Sequence, residues 1–339
     1  MAISLKPMLE RILLSLLLGL SAVAGSAAQP LRLNEIQVLG SHNSYKLAMD
    51  PDRFAALSAE NPALAESLEY WHLPLAQQLD MGIRKLELDV FYDPGGSLYG
   101  RRDQSASQFA VMHVQNLDDR SNCPTLIACL EVLRRWSERN PRHVPVFVSF
   151  NAKDTVIERP GFVAPRPFTE SVWIALDAEI RAQLDGKLLT PEEVFRTGSL
   201  QWPLLDEVRG RFVLILDEGG EKRRTYASRW RQRAMFVNQP PGTEGAAIMI
   251  INDPVRDFEK IQHLVGDGYI VRTRADADTR EAREGDTRRR DRAIASGAQL
   301  ISTDYYLPAT HFATDYVVRL APGCNVVVTG RTCDISAAP

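Results

Sequence analysis

The chain has 339 residues, of which 45% are hydrophobic and 24% charged, and its formal net charge is -3 at pH 7. This composition is typical of a globular protein with enough apolar side chains for a large core. The small negative charge argues against nucleic acid as the main partner, because nucleic-acid-binding domains are usually clearly basic.

The N-terminal residues 1–28 have the pattern of a secretory signal peptide. Lys6 and Arg11 make the start weakly positive, an apolar stretch follows over residues 12–20, and small residues lead up to Ala28. The apolar stretch is shorter than the roughly 20 residues that a membrane-spanning helix needs, which argues against a membrane anchor. We therefore expect a secreted or periplasmic protein.

Short apolar, β-branched runs alternate with helical stretches through the rest of the chain. The predicted strands span residues 36–42, 83–90, 109–114, 144–151, 211–217, 246–252, 269–273 and 299–303. The predicted helices span residues 52–70, 125–139, 170–184, 255–265 and 278–296. Such alternation is typical of parallel βαβ units, and eight strands fit an α/β fold of the (β/α)8 TIM-barrel type. A further short apolar run at residues 234–237 could be a ninth strand, which makes the strand count uncertain. An open doubly wound sheet is the alternative fold.

The mature chain is predicted to be one domain, residues 29–339, with a C-terminal extension from about residue 307. Its four cysteines are Cys123, Cys129, Cys324 and Cys333. An even number of cysteines in an exported chain predicts disulfides, and three pairings are possible, of which the two local pairs are the simplest. A zinc site is not expected, because neither pair has partners at zinc-finger spacing.

Polar side chains collect at the C-terminal ends of the predicted strands, which is the catalytic face of such barrels. They are His42, Asn43, Glu87, Asp89, His113, Asn151, Asp217, Glu218, Arg272, Arg274 and Asp304. Turn chemistry alone does not explain why so many strands end in this way.

Two carboxylates on the second strand predict a metal site. Because side chains alternate along a strand, Lys85, Glu87 and Asp89 share one face. Two buried carboxylates repel each other and lose hydration, and either a metal ion or salt bridges, first of all to Lys85, would relieve these costs. We favour a hard ion, Ca2+ before Mg2+, because the cluster has oxygen ligands and no His or Cys. Its oxygen ligands would come from Asn43, Glu87, Asp89 and Asn151.

His42 and His113 differ from the other histidines because both lie beside these carboxylates at predicted strand ends. Two imidazoles next to a hard cation suit phosphoryl transfer, since the metal neutralises phosphate charge and an imidazolium protonates the leaving oxygen. The remaining histidines are interpreted as packed or surface residues, and they are His72, His143, His263 and His311.

Together these residues resemble the catalytic motifs of the calcium-dependent phosphatidylinositol-specific phospholipases C, and the secreted bacterial branch most of all. The resemblance lies, in chain order, in "GSHNSY", "GIRKLELDVFYD", "VMH" and "PVFVSFN". The downstream stretches "YIVRTRADADTREAR" and "SGAQLISTDYY" are similar to that branch as well, so the resemblance extends from about residue 36 to 306. It implies a TIM barrel of the phospholipase-C-like phosphodiesterase superfamily that has no room for the accessory membrane-targeting domains of the animal enzymes.

The resemblance also implies a role for each matching residue. His42 and His113 would be the catalytic histidines, and Asn43, Glu87 and Asp89 would be calcium ligands. The fourth ligand position is usually a carboxylate in the animal enzymes and is Asn151 here. Two carboxylates and two amides make a modestly charged site, so we expect modest Ca2+ affinity. Substrate contacts would come from Lys85, Arg272 and Tyr305, where Arg272 binds phosphate and Tyr305 or its neighbour Tyr306 stacks on the inositol ring; ordinary barrel packing is the alternative role of the tyrosines.

The implied reaction begins with attack of the inositol 2-hydroxyl on phosphorus. His42 would stabilise the charged transition state or act as the base, a role also open to Glu87 and Asp89, and His113 would protonate the diacylglycerol oxygen. A cyclic inositol phosphate results and can be hydrolysed in a second step. We expect a monomer that touches the membrane surface only peripherally, where its phospholipid substrate lies.

Two other functions compete with this one. The first is a glycerophosphodiester phosphodiesterase or phospholipase-D-like enzyme on a similar barrel, but such enzymes typically begin with His-Arg-Gly where this chain has His42, Asn43 and Ser44. The second is a non-catalytic secreted barrel that binds head groups, against which the presence of both histidines argues.

Overall fold

A computed structural model of the protein describes residues 29–100 and 106–336. The described residues from Leu31 onward belong to one compact unit. The predicted signal peptide, residues 1–28, lies outside the described residues and stays a prediction. Among the helices of the described ranges, none is both long and apolar enough to cross a bilayer.

A parallel barrel forms the centre of this unit. The strands are β1 (Ile36–Ser41), β2 (Lys85–Tyr92), β3 (Phe109–Val111), β4 (Val146–Ala152), β5 (Phe212–Leu216), β6 (Phe236–Val237), β7 (Ile248–Ile250), β8 (Ile270–Arg274), β9 (Leu300–Thr303) and β10 (Gly323–Cys324). Eight of them pair in parallel in the order β6-β5-β4-β2-β1-β9-β8-β7. A single parallel bridge between Asn238 and Ile248 links the two ends of this order, so the barrel is nearly closed. The predicted TIM-type fold is confirmed.

One predicted barrel strand was wrong, and a run that the sequence left open takes its place. The run at residues 109–114 is not a barrel strand, because β3 pairs antiparallel with β2 through Val90 and Val111. For the chain to pair in parallel with β2, it would need a crossover connection of a dozen or more residues, which is usually a helix. The described part of residues 93–108, which connects β2 to β3, contains no helix. The eighth barrel strand is instead β6, which comes from the run at residues 234–237 that blurred the count.

The helices surround the barrel. They are α1 (Pro51–Glu60), α2 (Pro62–Ser67), α3 (Leu75–Asp80), α4 (Leu126–Arg139), α5 (Glu170–Leu184), α6 (Pro191–Val194), α7 (Gly220–Ala227), α8 (Phe258–Gly266), α9 (Arg280–Glu284), α10 (Arg288–Ala295) and α11 (Val326–Thr329). The prediction for α5 is confirmed at both ends, and α8 begins later than predicted.

Two predicted helices are each divided in two. The run 52–70 breaks between α1 and α2, where the Asn61 side chain caps α2 by accepting a hydrogen bond from the Leu64 amide over 3.1 Å. Pro62 cannot donate an amide hydrogen to the preceding helix, so a new helix starts there. The run 278–296 breaks at Gly285, whose φ of 68° is in the left-handed region that ends helices.

The alternation along β2 separates the core from the site. Leu86, Leu88 and Val90 are fully buried and belong to a core cluster that contains Leu130 and Leu133 of α4. The residues between them therefore point into the barrel, as the sequence predicts.

Two local disulfides are present, Cys123–Cys129 and Cys324–Cys333, which is the simplest of the three pairings that the sequence left open. The second lies in the C-terminal extension, where β10 pairs antiparallel with the start of β1 through Cys324 and Ile36. The extension is thus tied to the end of β1 that is opposite the predicted site.

Candidate active site

Glu87 lies at the centre of the polar cluster in the barrel mouth. Its Oε2 atom accepts hydrogen bonds from Lys85 Nζ at 2.5 Å and from Arg272 Nη2 at 2.9 Å. Its Oε1 atom lies 3.6 Å from Nε2 of His42. Burial by itself would raise the pKa of Glu87, but the charges of Lys85 and Arg272 outweigh it and hold the pKa well below its usual range. Glu87 is therefore a buried carboxylate that stays ionised.

Asn151 joins the two carboxylates of β2. Its Nδ2 atom lies 3.2 Å from Oε1 of Glu87 and 3.0 Å from Oδ1 of Asp89. The other oxygen of Asp89, Oδ2, lies 3.1 Å from Nζ of Lys153, the first residue after β4. The carboxylate pair and Asn151 thus come together as the sequence predicts, and the structure adds Lys153 as a cationic partner of Asp89.

His42 and Asn43, just after β1, both contact Tyr70. Asn43 has a φ of 47°, so the chain leaves the extended conformation there, and its Nδ2 atom donates to the Tyr70 hydroxyl over 2.7 Å. This left-handed residue lets two adjacent side chains reach the same partner, since the His42 ring stacks on Tyr70 at 5.8 Å between centroids, whereas an ideal strand would point them to opposite faces.

A buried carboxylate orients His42. Oδ1 of Asp304, which follows β9, lies 3.1 Å from His42 Nδ1, and Nη2 of Arg274 lies 3.4 Å from Oδ2 of the same carboxylate. Burial lowers the pKa of His42, an effect that Arg274 reinforces and that Asp304 and Glu87 oppose. His72, interpreted from the sequence as a packed or surface residue, is buried here and its Nε2 lies 2.6 Å from the His42 carbonyl oxygen.

A second buried carboxylate orients His113. His113 lies in the loop after β3, and its Nδ1 is 2.8 Å from Oδ2 of Asp118. Oδ1 of Asp118 lies 3.1 Å from Nζ of Lys46, and both of these side chains are completely buried. Sequence reasoning missed Asp118 and Lys46, although a histidine followed five residues later by an acidic pair in a turn was a usable signal.

The three residues suggested as substrate contacts lie in different surroundings. Lys85 is completely buried and Arg272 is 2% exposed, and both are engaged with Glu87. Tyr305 is 3% exposed and packs edge-on against Tyr316. It also lines a cavity of about 290 Å³ beside Asp304.

A second cavity, of about 320 Å³, opens next to His113. Its polar lining includes His113, Asn151, Lys153, Asp217, Glu218 and Lys222. Burial raises the pKa of Asp217 and of Glu218. One histidine, the bridging amide and Lys153 therefore face a single pocket of small-molecule size.

The donor set in the mouth fits a hard cation. Glu87 and Asp89 supply carboxylate oxygens, and a half-turn of the Asn151 amide would bring its oxygen to the position between them, since amide O and N atoms exchange by such a flip. Asn43 donates its amide nitrogen to the Tyr70 hydroxyl, so its amide oxygen is the atom that would have to serve as a ligand. Within the described ranges, no group of three or more His, Cys, Asp or Glu side chains is arranged to hold a metal, so the amides would have to complete the ligand set.

A parallel eight-stranded barrel with this polar cluster at its C-terminal mouth has the architecture of a TIM-barrel enzyme. The family model described as phosphoinositide phospholipase C, Ca2+-dependent, matches residues 31–329. The chain therefore belongs to the Ca2+-dependent phosphoinositide phospholipase C family.

Solved structures resemble the chain in fold. A calcium-dependent phosphoinositol-specific phospholipase C from Pseudomonas sp. matches with a TM-score of 0.52 and 16% identity over 80% of this chain and 90% of that one. A Ca2+-dependent phosphatidylinositol-specific phospholipase C from Streptomyces antibioticus matches with a TM-score of 0.51 and 16% identity over 81% and 95%. A sequence search of curated proteins finds no match.

Proposed function

We propose that the protein cleaves phosphatidylinositol-type lipids to diacylglycerol and a cyclic or open inositol phosphate in a Ca2+-dependent reaction. The observation that carries this proposal is the pair of histidines at one barrel mouth, each with Nδ1 against a buried carboxylate, Asp304 at 3.1 Å and Asp118 at 2.8 Å. Such pairing leaves Nε2 of each ring for proton transfer. Membership of the phosphoinositide phospholipase C family supports the choice of substrate.

His42 is proposed as the group that takes the proton of the inositol 2-hydroxyl. Its lowered pKa favours the neutral ring, and Asp304 fixes the tautomer that carries hydrogen on Nδ1. Once Nε2 has accepted the proton, the imidazolium is stabilised by Glu87 Oε1 at 3.6 Å. Lys85 and Arg272 act here by keeping Glu87 ionised and in place.

His113 is proposed as the acid that protonates the diacylglycerol oxygen. Asp118 accepts a hydrogen bond from Nδ1 and, as an anion paired with Lys46, stabilises the charged ring. Microscopic reversibility lets the same residue act as the base when water opens a cyclic product. The cavity beside His113 is the proposed site of the inositol head group.

Asn43, Glu87, Asp89 and Asn151 are the proposed calcium ligands. Bound there, Ca2+ would neutralise phosphate charge and lower the pKa of the attacking hydroxyl. Two carboxylates with two neutral amides suit Ca2+ of modest affinity, because affinity rises with the charge of the ligands.

We also propose that the protein works outside the cytoplasm and meets its substrate at a membrane surface. Two disulfides are typical of oxidising compartments. Trp71 and Leu307 are 45% and 38% exposed beside the cavity next to Asp304, and side chains of this type favour a lipid interface. The monomeric state stays a prediction.

The decisive experiment identifies the product released from phosphatidylinositol, with Ca2+ and with EGTA. We expect inositol phosphate only with Ca2+, and we expect His113→Ala and Glu87→Ala to lose at least roughly 10²-fold in turnover. His263→Ala, whose ring is 80% exposed, is the matched control. Release of choline or glycerol 3-phosphate from glycerophosphocholine without inositol phosphate would instead identify a different phosphodiesterase, and no turnover of either substrate would favour a binding protein.

A further inference from the structure

The protein itself supplies a partner for each oxygen of Asp89. Oδ1 accepts from Asn151 Nδ2 at 3.0 Å, and Oδ2 pairs with Lys153 Nζ at 3.1 Å. The Asp89 side chain is 2% exposed, whereas the Lys153 side chain is 36% exposed. Lys153 therefore reaches Asp89 from the solvent side of the mouth.

The other two cations of the cluster are differently placed. Lys85 and Arg272 contact Glu87, and their side chains are 0% and 3% exposed. Moving either of them away from Glu87 would leave a buried charge without its partner, which is strongly unfavourable. Lys153 has no such constraint, because its flexible four-carbon stem can turn its ammonium into water.

The two negative charges of the carboxylate pair are thus already met by three positive charges of the protein. Glu87 and Asp89 together are contacted by Lys85, Arg272 and Lys153. A divalent ion that enters the pair meets the repulsion of these cations, and the repulsion grows as the separation shrinks. The cation that can leave at least cost is the one nearest the solvent.

We infer that Lys153 is an internal competitor of Ca2+, which occupies Asp89 in the metal-free protein and turns away when the ion binds. The inference rests on the proposed function, since it requires that Glu87 and Asp89 form the calcium site. Its consequence is that Lys153 lowers the Ca2+ affinity of the chain and at the same time stabilises the carboxylate pair when calcium is absent.

Calorimetric titration of Ca2+ into the metal-free, full mature protein tests this directly, without substrate. We expect Lys153→Met to bind Ca2+ roughly tenfold more tightly than wild type. The substitution removes the attraction between Lys153 and Asp89 in the metal-free protein, and it also removes the repulsion between Lys153 and Ca2+ in the bound protein. Lys153→Arg keeps the charge and should stay within about twofold of wild type.

Lys222→Met is the matched control. Lys222 lines the same cavity but pairs with Glu218 at 2.8 Å and Asp154 at 3.0 Å, so its loss removes one positive charge without releasing Asp89. We expect its Ca2+ affinity to change by less than about threefold, since partly exposed charges are screened by solvent. An equal gain in this variant would overturn the inference, because the effect would then be one of overall charge.

Thermal unfolding gives a second measurement. In EGTA, Lys153→Met should unfold at a lower temperature than wild type, and Ca2+ should raise its unfolding temperature by more than it raises that of wild type. Equal Ca2+ affinity of the two proteins would overturn the inference while leaving the calcium site intact. Absence of Ca2+ binding in both would overturn the calcium site as well, and binding by Lys153→Met alone would support the competitor role.

Discussion

Asp118 holds His113 through a contact of 2.8 Å between Oδ2 and Nδ1, and its second oxygen lies 3.1 Å from the buried ammonium of Lys46. The two acidic residues at 118 and 119 look alike in the sequence. Only Asp118 is buried, whereas Asp119 is partly exposed and pairs with Arg53 at 3.0 Å. This difference separates a positioning residue from its neighbour.

We predict that Asp118→Asn lowers kcat by roughly 10²-fold or more with little change in KM, because the amide no longer stabilises a charged His113 ring. Asp119→Asn is the control and should retain nearly full activity. Both variants are measured on phosphatidylinositol with Ca2+, and a circular dichroism melt checks folding. Asp118→Asn leaves the buried Lys46 ammonium without its anionic partner, so the variant should also unfold at a lower temperature, although Lys46 keeps its hydrogen bonds to the Leu68 and Tyr70 carbonyls. The kcat values are therefore compared at a temperature at which the melts show both variants folded. Similar kcat values for Asp118→Asn and wild type would contradict the positioning role.

Asp276 is expected to make stability depend on pH. It is completely buried, accepts from the Asp304 amide at 2.8 Å, and burial together with the nearby charge of Asp304 raises its pKa to about 7. The folded protein therefore holds this proton more tightly than the unfolded chain, in which the pKa is about 3.9. The stabilisation is complete below about pH 4 and is lost as the pH rises toward 7.

Asp276→Asn should remove this dependence. Relative to the variant, wild type should lose up to about 1.4 kcal/mol of unfolding free energy per pH unit between about pH 4 and 7. Urea unfolding at a series of pH values measures the difference, and parallel curves for the two proteins would show that Asp276 does not titrate in this range.

Gly40 permits the close approach of β1 to β2 at the base of the mouth. A Cβ atom on Gly40 would lie 2.5 Å from Cβ and 2.7 Å from the carbonyl oxygen of Lys85, which neither backbone can avoid without moving. We predict that Gly40→Ala destabilises the protein by about 1–3 kcal/mol, the usual cost of overpacking. Gly219→Ala, which meets no atom within 4 Å, is the control, and equal denaturation midpoints for the two variants would refute the steric argument.

The Cys324–Cys333 disulfide should stabilise the fold without affecting catalysis. It closes a loop with a sequence separation of 9 next to the pairing of β10 with β1. Replacing both cysteines by serine should lower the unfolding free energy by roughly 2–3 kcal/mol, mainly by freeing the unfolded chain. Activity at low temperature should stay near wild type, whereas a large loss of kcat in the folded variant would link the extension to the site.

The sequence predicted the barrel because its signals are local. Val and Ile runs, alternation along β2, and polar residues at strand ends depend on neighbours within a few positions of each other. The strand at residues 109–114 was wrong for the same reason, since an apolar run does not reveal whether its partner lies parallel or antiparallel. The predicted helix 278–296 was likewise wrong at Gly285, where a left-handed backbone conformation ends α9. The alternating charges of this segment gave no indication of that break.

The sequence by itself determined that the polar residues at the ends of the parallel strands lie at one mouth, because parallel strands bring their C-terminal ends to one edge. It did not determine the position of His113, which lies in the loop after the antiparallel β3. The tertiary structure decided the partners of those residues, such as Asp304 for His42, Arg272 for Glu87 and Lys153 for Asp89. These contacts join positions that are 262, 185 and 64 residues apart. The contact between Lys85 and Glu87 differs, because the two residues are neighbours on one face of β2 and their pairing can be predicted from the alternation along that strand. Which charges pair over such separations depends on the register of the barrel strands and on how far each side chain reaches. Neither can be predicted from the local pattern of the sequence.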